Sequence, residues 1–236
     1  MTSRFDEEVA GVAALNDPVR RALYRFVSES AEAVSREQAA AAVGIQKTLA
    51  AFHLDRLAQE GLLEFEFRRL TGRTGPGAGR PAKLYRRSDR QITLSLPPRE
   101  YDLAGHLLAA AIAAAENSGR TVRKELERGA FSAGRAIGEE ALEIAGPRAS
   151  KAKQREGLVA ALRRHGYEPR SAGRDIVLGN CPFHDLSQQF TDLVCGMNLH
   201  LMKGVRSALN LPDKDLQPRL QPEPGQCCVK FCTSAT

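Results

Sequence analysis

Two helix N-terminal capping patterns and a glycine that can end a helix follow one another closely near the start of the chain. Asp17 precedes Pro18, so an aspartate can cap the free amides of a helix whose first position holds proline. Residues 35–38 read Ser-Arg-Glu-Gln, a capping-box pattern that predicts a second, short helix. Gly44 ends that helix, and a third helix is predicted over about 46–59. Two helices joined by a glycine turn indicate a helix-turn-helix.

After Gly61 the hydrophobic period changes from that of a helix to that of a strand. LLEFEFRRL alternates apolar and charged residues, TGRTGPGAGRP is a Gly/Pro-rich loop, and AKLYRRS predicts a second strand. Residues 68–90 hold eight Lys and Arg against one Asp, whereas residues 1–67 hold seven against eleven acids. A basic island of this kind is either a solvated loop or a phosphate contact. Helix, turn, helix and a hairpin with a basic tip predict a winged helix-turn-helix domain over residues 1–90.

The physics of DNA binding assigns roles within that domain. The second helix of a helix-turn-helix enters the major groove by its N-terminal end, where Gln pairs well with adenine and Lys with guanine. The residues expected nearest the base edges are Gln46, Lys47, Thr48 and Ala51. Further along, His53 and Arg56 are expected to contact phosphates or to pack. On the wing, the residues expected to reach phosphates or the minor groove are Arg73, Arg80 and Lys83.

Residues 91–236 predict an α+β sensor and dimerisation domain. Helices are predicted over 101–118, 121–145, 151–165, 185–195 and 197–209, with a hairpin turning near 171–174 and a late strand around CCVKF. The stretch 91–98 indicates a strand or an extended linker. The helix at 101–118 is rich in small residues, mainly alanine, which permit close helix packing. It is therefore a candidate dimer helix, or alternatively an ordinary internal helix.

All five cysteines lie in the last quarter of the chain, at Cys181, Cys195, Cys227, Cys228 and Cys232. They lack the paired CxxC spacing of zinc ribbons and are closer to iron–sulfur sites built from scattered thiolates. His184 is a possible further ligand. Zinc, a thiol redox switch and free cysteines that simply fill the core are the alternatives.

Two resemblances sharpen these expectations. ALNDPVRRALYRFV, VGIQKTLAAFHLDRLAQEGLLE and GRPAKLYR resemble the DNA-binding domain of ArsR-type regulators. NCPF, LVCGMNLHLMKG and PGQCCV look like the sensor domain of SufR-type regulators, which repress iron–sulfur assembly genes and carry a 4Fe–4S cluster on C-terminal cysteines. This second resemblance implies Cys181, Cys195 and one of Cys227 or Cys228 as ligands. It leaves the fourth ligand open, and the extra cysteine Cys232 departs from the pattern.

The expected function is a cytoplasmic, homodimeric transcriptional regulator, most simply a repressor, acting on a palindromic double-stranded DNA operator. The N-terminus has acids where a secretory signal needs a basic start, and the longest apolar stretch, 107–115, is about half the length that spans a bilayer. No enzymatic activity and no membrane partner are expected. The alternative of another class is an enzyme with Cys181 as nucleophile and His184 as base, which leaves the DNA-binding module unexplained.

Overall fold

The computed structural model describes residues 4–69, 81–212 and 214–233. The chain forms two compact units, Met1–Leu94 and Ser95–Thr236. Each unit combines helices with a small antiparallel sheet, so the predicted α+β class is confirmed. Within the described ranges, no helix has the length and apolar character needed to cross a membrane.

The first unit is built on a sheet of three short strands. Its helices are α1 (Arg4–Ala14), α2 (Pro18–Glu29), α3 (Arg36–Val43) and α4 (Lys47–Gln59), and its strands are β1 (Val34–Ser35), β2 (Leu63–Arg68) and β3 (Ala82–Arg87). Strand β3 lies in the middle, antiparallel to β1 on one side and to β2 on the other. Neither α1 nor β1 was predicted from the sequence. The core consists of fully buried side chains from the helices and from the strands: Leu23, Leu54, Leu57, Leu63, Leu84 and Tyr85.

The helix boundaries in this unit follow the capping chemistry that the sequence predicts. The Asp17 carboxylate accepts a hydrogen bond of 2.9 Å from the backbone N–H of Arg20 at the start of α2. Ser35 and Gln38 form a complete capping box at the start of α3. Gly44 ends α3 in the left-handed region at φ 73°, which a residue with a Cβ rarely adopts. These predictions are confirmed, and they fix the tight connection between α3 and α4.

The second unit places five helices beside a four-stranded sheet. The helices are α5 (Tyr101–Ser118), α6 (Val122–Ala145), α7 (Lys151–Arg164), α8 (His184–Gln189) and α9 (Thr191–Ala208). The strands are β4 (Pro169–Ala172), β5 (Asp175–Leu178), β6 (Gln217–Leu220) and β7 (Val229–Cys232), in the antiparallel order β4-β5-β7-β6. The predicted helices α5 to α7 and the hairpin of β4 and β5 are confirmed.

The end of the chain differs from the sequence prediction in two places. Helix α9 runs without interruption through Cys195 and Gly196, so the predicted break between two helices there is wrong. The helix continues because apolar side chains before and after Gly196, Val194 and Met197 among them, are buried in the same core. The second difference is β6, a strand in the proline-rich stretch where only β7 was expected. The stretch 91–98 is irregular.

Helices α6 and α9 approach each other so closely that glycine is required on both. A Cβ placed on Gly134 would lie 1.9 Å from the carbonyl oxygen of Leu201, and one on Gly138 would lie 2.3 Å from that of Val205. From the other side, a Cβ on Gly204 would lie 2.0 Å from the carbonyl oxygen of Phe131. These contacts are with rigid backbone, so no side-chain adjustment can relieve them.

This close approach generates a stability prediction with a matched control on the same helix. Gly204→Ala should lower the free energy of unfolding by about 1–3 kcal/mol, because the added methyl group forces two helix backbones apart. Gly196→Ala should instead raise it by up to about 1 kcal/mol, since no described atom beyond its own stretch of helix lies within 4 Å of its Cβ position and alanine is the better helix former. Denaturant unfolding of both variants without metal tests this, and equal effects would contradict it.

Candidate functional site

Four of the five cysteines converge in the second unit. Cys181 precedes α8, Cys195 lies in the second turn of α9, and Cys227 and Cys228 immediately precede β7. Cys195 and Cys227 are buried, and Cys181 and Cys228 are half-buried. All are free thiols. The topology brings them together because β7 pairs with β5, the strand that leads into Cys181, and because the Cys227 N–H donates to the Leu178 carbonyl oxygen at 2.8 Å.

The four thiols form a row in which each hydrogen-bonds its neighbour, in the order Cys181, Cys227, Cys228, Cys195. We call this set the thiol row. Hydrogen bonding with Cys227, together with burial, raises the pKa of Cys181. Hydrogen bonding with Cys228 lowers the pKa of Cys195 despite its burial. Cys195 is therefore the thiol that ionises most readily.

The two inner thiols of the row hold protons tightly. Hydrogen bonding with Cys181 lowers the pKa of Cys227, but hydrogen bonding with Cys228 and burial outweigh this and raise the pKa to about 12. Hydrogen bonding with Cys195 is the main cause that raises the pKa of Cys228 to about 12. Cys227 and Cys228 are therefore neutral thiols near pH 7.

Protein N–H groups also point at the row. The backbone N–H of Phe183 hydrogen-bonds the Cys181 sulfur, and that of Val229 hydrogen-bonds the Cys227 sulfur. The Asn198 side chain, one turn after Cys195 on α9, donates its Nδ2–H to the Cys227 sulfur at 3.2 Å. Donors of this kind stabilise sulfur as a thiolate, which is the form that binds metals.

The other two candidate ligands lie outside the thiol row. His184 begins α8 and is exposed, and only its backbone N–H bonds Cys181, at the carbonyl oxygen. Cys232 lies on β7, where its sulfur is 3.7 Å from Gln221 Oε1 and its electrostatic surroundings are Asp175, Arg219 and Lys230. The structure thus separates Cys228 from Cys232, which sequence spacing alone left equivalent.

The donor set matters for which metal centre it fits. Among the described residues, no group of three or more His, Cys, Asp or Glu side chains is arranged to hold a metal ion. A single zinc ion needs its sulfurs gathered about 2.3 Å from one point. An iron–sulfur cluster takes each thiolate on a different iron, and four cysteines are its usual protein ligands. The thiol row therefore offers the donor type and the donor number that a cluster uses, and its sulfurs would have to move to ligate either centre.

The environment of Cys181 also bears on the alternative of a cysteine enzyme. A nucleophilic cysteine has a lowered pKa and a neighbouring base. Here hydrogen bonding with Cys227 and burial raise the pKa of Cys181, and the His184 side chain is exposed. This arrangement is the opposite of an activated nucleophile.

In the first unit, the N-terminal turn of α4 is exposed. Gln46 is the N-cap, and Lys47 and Thr48 follow it on the surface, while Ala51 is half-buried. Lys47 pairs with Glu37 of α3. The predicted base contacts are thus gathered on one exposed turn, next to the break at Gly44.

Two of the remaining predicted DNA contacts, Arg56 and Lys83, have partners inside the protein. Arg56 pairs with Glu60 one turn later on α4, at 2.5 Å. Lys83 pairs with Asp55 and lies 3.8 Å from the centre of the Phe65 ring. Burial alone would raise the pKa of Asp55, but hydrogen bonds from Lys83 and Tyr85 lower it. Lys83 therefore joins the hairpin to α4. Arg73 and Arg80 lie outside the described residues.

His53 is a core residue, with 7% of its surface exposed and its Nδ1 without a hydrogen-bond partner among the described residues. Its burial favours a packing role for His53 over a phosphate contact. Sequence reasoning missed the next residue back, Phe52, which is 64% exposed on the outer face of α4. The apolar periodicity of α4 would predict that a phenylalanine is buried, so nothing in the sequence indicated that Phe52 is exposed. Asn198 was missed because it lies in an otherwise apolar stripe.

Comparison of the chain with protein-family models, with curated proteins and with solved structures finds no match. The resemblances to ArsR-type and SufR-type regulators therefore remain resemblances between short motifs.

Proposed function

We propose that this chain is a homodimeric transcriptional repressor with a winged helix-turn-helix. A cysteine-ligated centre, most simply a 4Fe–4S cluster, would control its affinity for a double-stranded DNA operator. The observation that carries the proposal is the thiol row, four reduced cysteines gathered from three separate segments. Free thiols in this number suit the reducing cytoplasm, which is the proposed location.

The first unit supports DNA binding by its order of elements and by its surface. Helix α3, the tight turn at Gly44, helix α4 and the β2–β3 hairpin follow one another as the elements of a winged helix-turn-helix do. Lys47 and Arg56 each form an ion pair with a glutamate, and about half of each basic side chain is exposed to solvent. Such pairs contribute about 0–1 kcal/mol, so DNA phosphates can replace the carboxylate partners.

Lys47→Ala should weaken binding to a specific operator by about 1–3 kcal/mol, because the side chain would contact a base edge. Lys153→Ala is the matched control, since Lys153 is likewise an exposed lysine paired with a glutamate, but on α7. The operator is first selected from a random duplex pool with the wild-type protein, and affinities are then measured at one salt concentration. Equal losses on operator and random duplex would show that Lys47 contacts phosphate only.

Helix α5 supports the homodimer. One of its faces carries exposed small residues, Gly105, Ala109 and Ala113, beside Ile112, which is 51% exposed. Small side chains let two helix backbones approach closely, and burial of Ile112 would contribute about 1.5–3 kcal/mol. Two copies meeting there would present two recognition helices to a palindromic site.

Ile112→Glu should convert the dimer to a monomer, because a carboxylate would be buried unpaired in the contact. Val122→Glu serves as control, since Val122 is also exposed and begins α6, where an acidic residue is favourable. Light scattering gives the mass of each variant. A dimer that persists in Ile112→Glu would remove α5 from the interface.

The thiol row supports the cluster. Cys181, Cys195, Cys227 and Cys228 would be its four ligands, and N–H donors from Phe183, Val229 and Asn198 would stabilise them as thiolates. A bound cluster would supply a redox-sensitive and iron-sensitive link between these segments. Ligation would hold the start of α8, α9 and the start of β7 together, and a coupling of about 1–3 kcal/mol would change operator affinity about 5–150-fold.

Cys181→Ser and Cys195→Ser should each abolish stoichiometric iron and sulfide, because each removes one thiolate of the row. Cys232→Ser should retain both, since Cys232 lies away from the row. Anaerobic analysis for iron, sulfide and zinc distinguishes the cluster from zinc. Operator affinity of each variant, measured beside the loaded and metal-free wild type, then tests regulation.

Two outcomes would contradict this assignment. Full iron in Cys195→Ser would show that the ligands are wrong. A variant that loses its metal yet binds the operator as the loaded protein does would show that the centre is structural.

A further inference from the structure

A buried hydrogen-bond relay runs from a tyrosine through an asparagine to one sulfur of the thiol row. The Tyr167 hydroxyl, just after α7, donates to Asn198 Oδ1 at 2.6 Å, and Asn198 Nδ2 donates to the Cys227 sulfur at 3.2 Å. Tyr167 is 2% exposed, and Asn198 and Cys227 are each 1% exposed. All three groups are thus removed from water.

The surroundings of Asn198 give no packing reason for an amide. The α9 residues nearest to it on the same face, Val194, Leu201 and Met202, are apolar and buried. Burying an amide there costs free energy unless its polar atoms are bonded, and a leucine of similar size would avoid that cost. The amide atoms are used for one purpose, the link between Tyr167 and the sulfur.

The relay also fixes which end of the amide meets the sulfur. The amide oxygen faces the Tyr167 hydroxyl, which donates to Oδ1, and the amide N–H faces the Cys227 sulfur. A thiol can either donate or accept a hydrogen bond, but a metal-bound thiolate can only accept. The orientation therefore suits Cys227 as a bound thiolate, and the backbone N–H of Val229 adds a second donor.

We propose that Asn198, oriented by Tyr167, is a positioning residue that holds an N–H on the Cys227 sulfur and makes Cys227 the anchored ligand of the cluster. This inference rests on the proposed function. It also distinguishes the adjacent cysteines, because Cys228 is hydrogen-bonded by thiols, Cys227 and Cys195, on both sides. The Cys227 sulfur is thus held in place by protein N–H donors, whereas the Cys228 sulfur is held by neighbouring thiols and can move more easily.

A donated N–H has a measurable electronic consequence. It withdraws charge from a coordinated sulfur and stabilises the more negative, reduced state of a cluster. Hydrogen bonds to the sulfurs are one of the factors that set cluster potentials. Loss of the Asn198 N–H should therefore lower the reduction potential, and a purely structural asparagine would not have this effect.

The experiment compares Asn198→Leu and Tyr167→Phe with the full-length, anaerobically purified wild type. Asn198→Leu removes the donor at similar volume, and Tyr167→Phe removes only the hydroxyl that orients it. Gln154→Leu is the control, since Gln154 is another buried amide, bonded to Ala149 and Asn210. Iron and sulfide content, the midpoint potential and the visible charge-transfer spectrum are measured for each.

We expect Asn198→Leu to bind iron and sulfide with a lower midpoint potential and a shifted charge-transfer band. Tyr167→Phe should shift in the same direction by a smaller amount, and Gln154→Leu should match the wild type in both. If Asn198→Leu does not fold, Tyr167→Phe decides the question by itself.

A wild-type potential and spectrum in a loaded variant would overturn the inference and leave the proposed function standing. A wild type that takes up zinc instead is tested in the same way by cobalt substitution, where the sulfur-to-cobalt band should shift in Asn198→Leu. A wild type that binds neither iron–sulfur nor zinc would overturn the proposed metal centre, and this inference with it.

Discussion

Helix α9 lies against α6 at a distance that only glycine permits, and the second unit is organised around this contact. Gly134 and Gly138 on α6 face carbonyl oxygens of α9, and Gly204 on α9 faces one of α6. Gly157 extends the same arrangement to α7, where a Cβ would lie 2.2 Å from the Ala141 carbonyl oxygen. Three helices are thus fixed to one another by backbone contact, which tolerates less displacement than contact between flexible side chains.

That rigidity matters because α9 carries two of the groups that define the thiol row. Cys195 and Asn198 are one turn apart on it, and their partners Cys228 and Cys227 come from the segment before β7. A displacement of well under one ångström weakens a hydrogen bond to sulfur, so a helix free to slide would lose it. The glycine contacts therefore help to hold Cys195 and Asn198 in position beside Cys228 and Cys227.

Local chemistry made part of this fold predictable from sequence. The caps at Asp17 and Ser35 and the left-handed turn at Gly44 each depend on residues within four positions, and all three were predicted correctly. The helix break predicted at Gly196 was wrong, because a glycine, which often ends helices, is tolerated within a well-packed helix. The choice between Cys228 and Cys232 could not be made, since it depends on β7 pairing with β5, more than fifty residues earlier.

The burial that shields the thiol row from water also raises the free-energy cost of converting its thiols to thiolates. Metals bind thiolates, so each of the four thiols would have to lose its proton. Burial and mutual hydrogen bonding raise the pKa of Cys181, Cys227 and Cys228, and Cys195 alone of the four is shifted toward ionisation. Because an occupied state would hold fewer protons, the affinity for a metal would rise with pH until these groups ionise by themselves.

The shifts in pKa differ along the thiol row. Cys195 is the member whose pKa is lowered, so it is the thiol that would ionise at the lowest pH. Cys227 is the most deeply buried of the four, at 1% exposed, and it is the one whose sulfur accepts the Asn198 N–H. That hydrogen bond would offset part of the cost of a thiolate where burial makes the cost greatest.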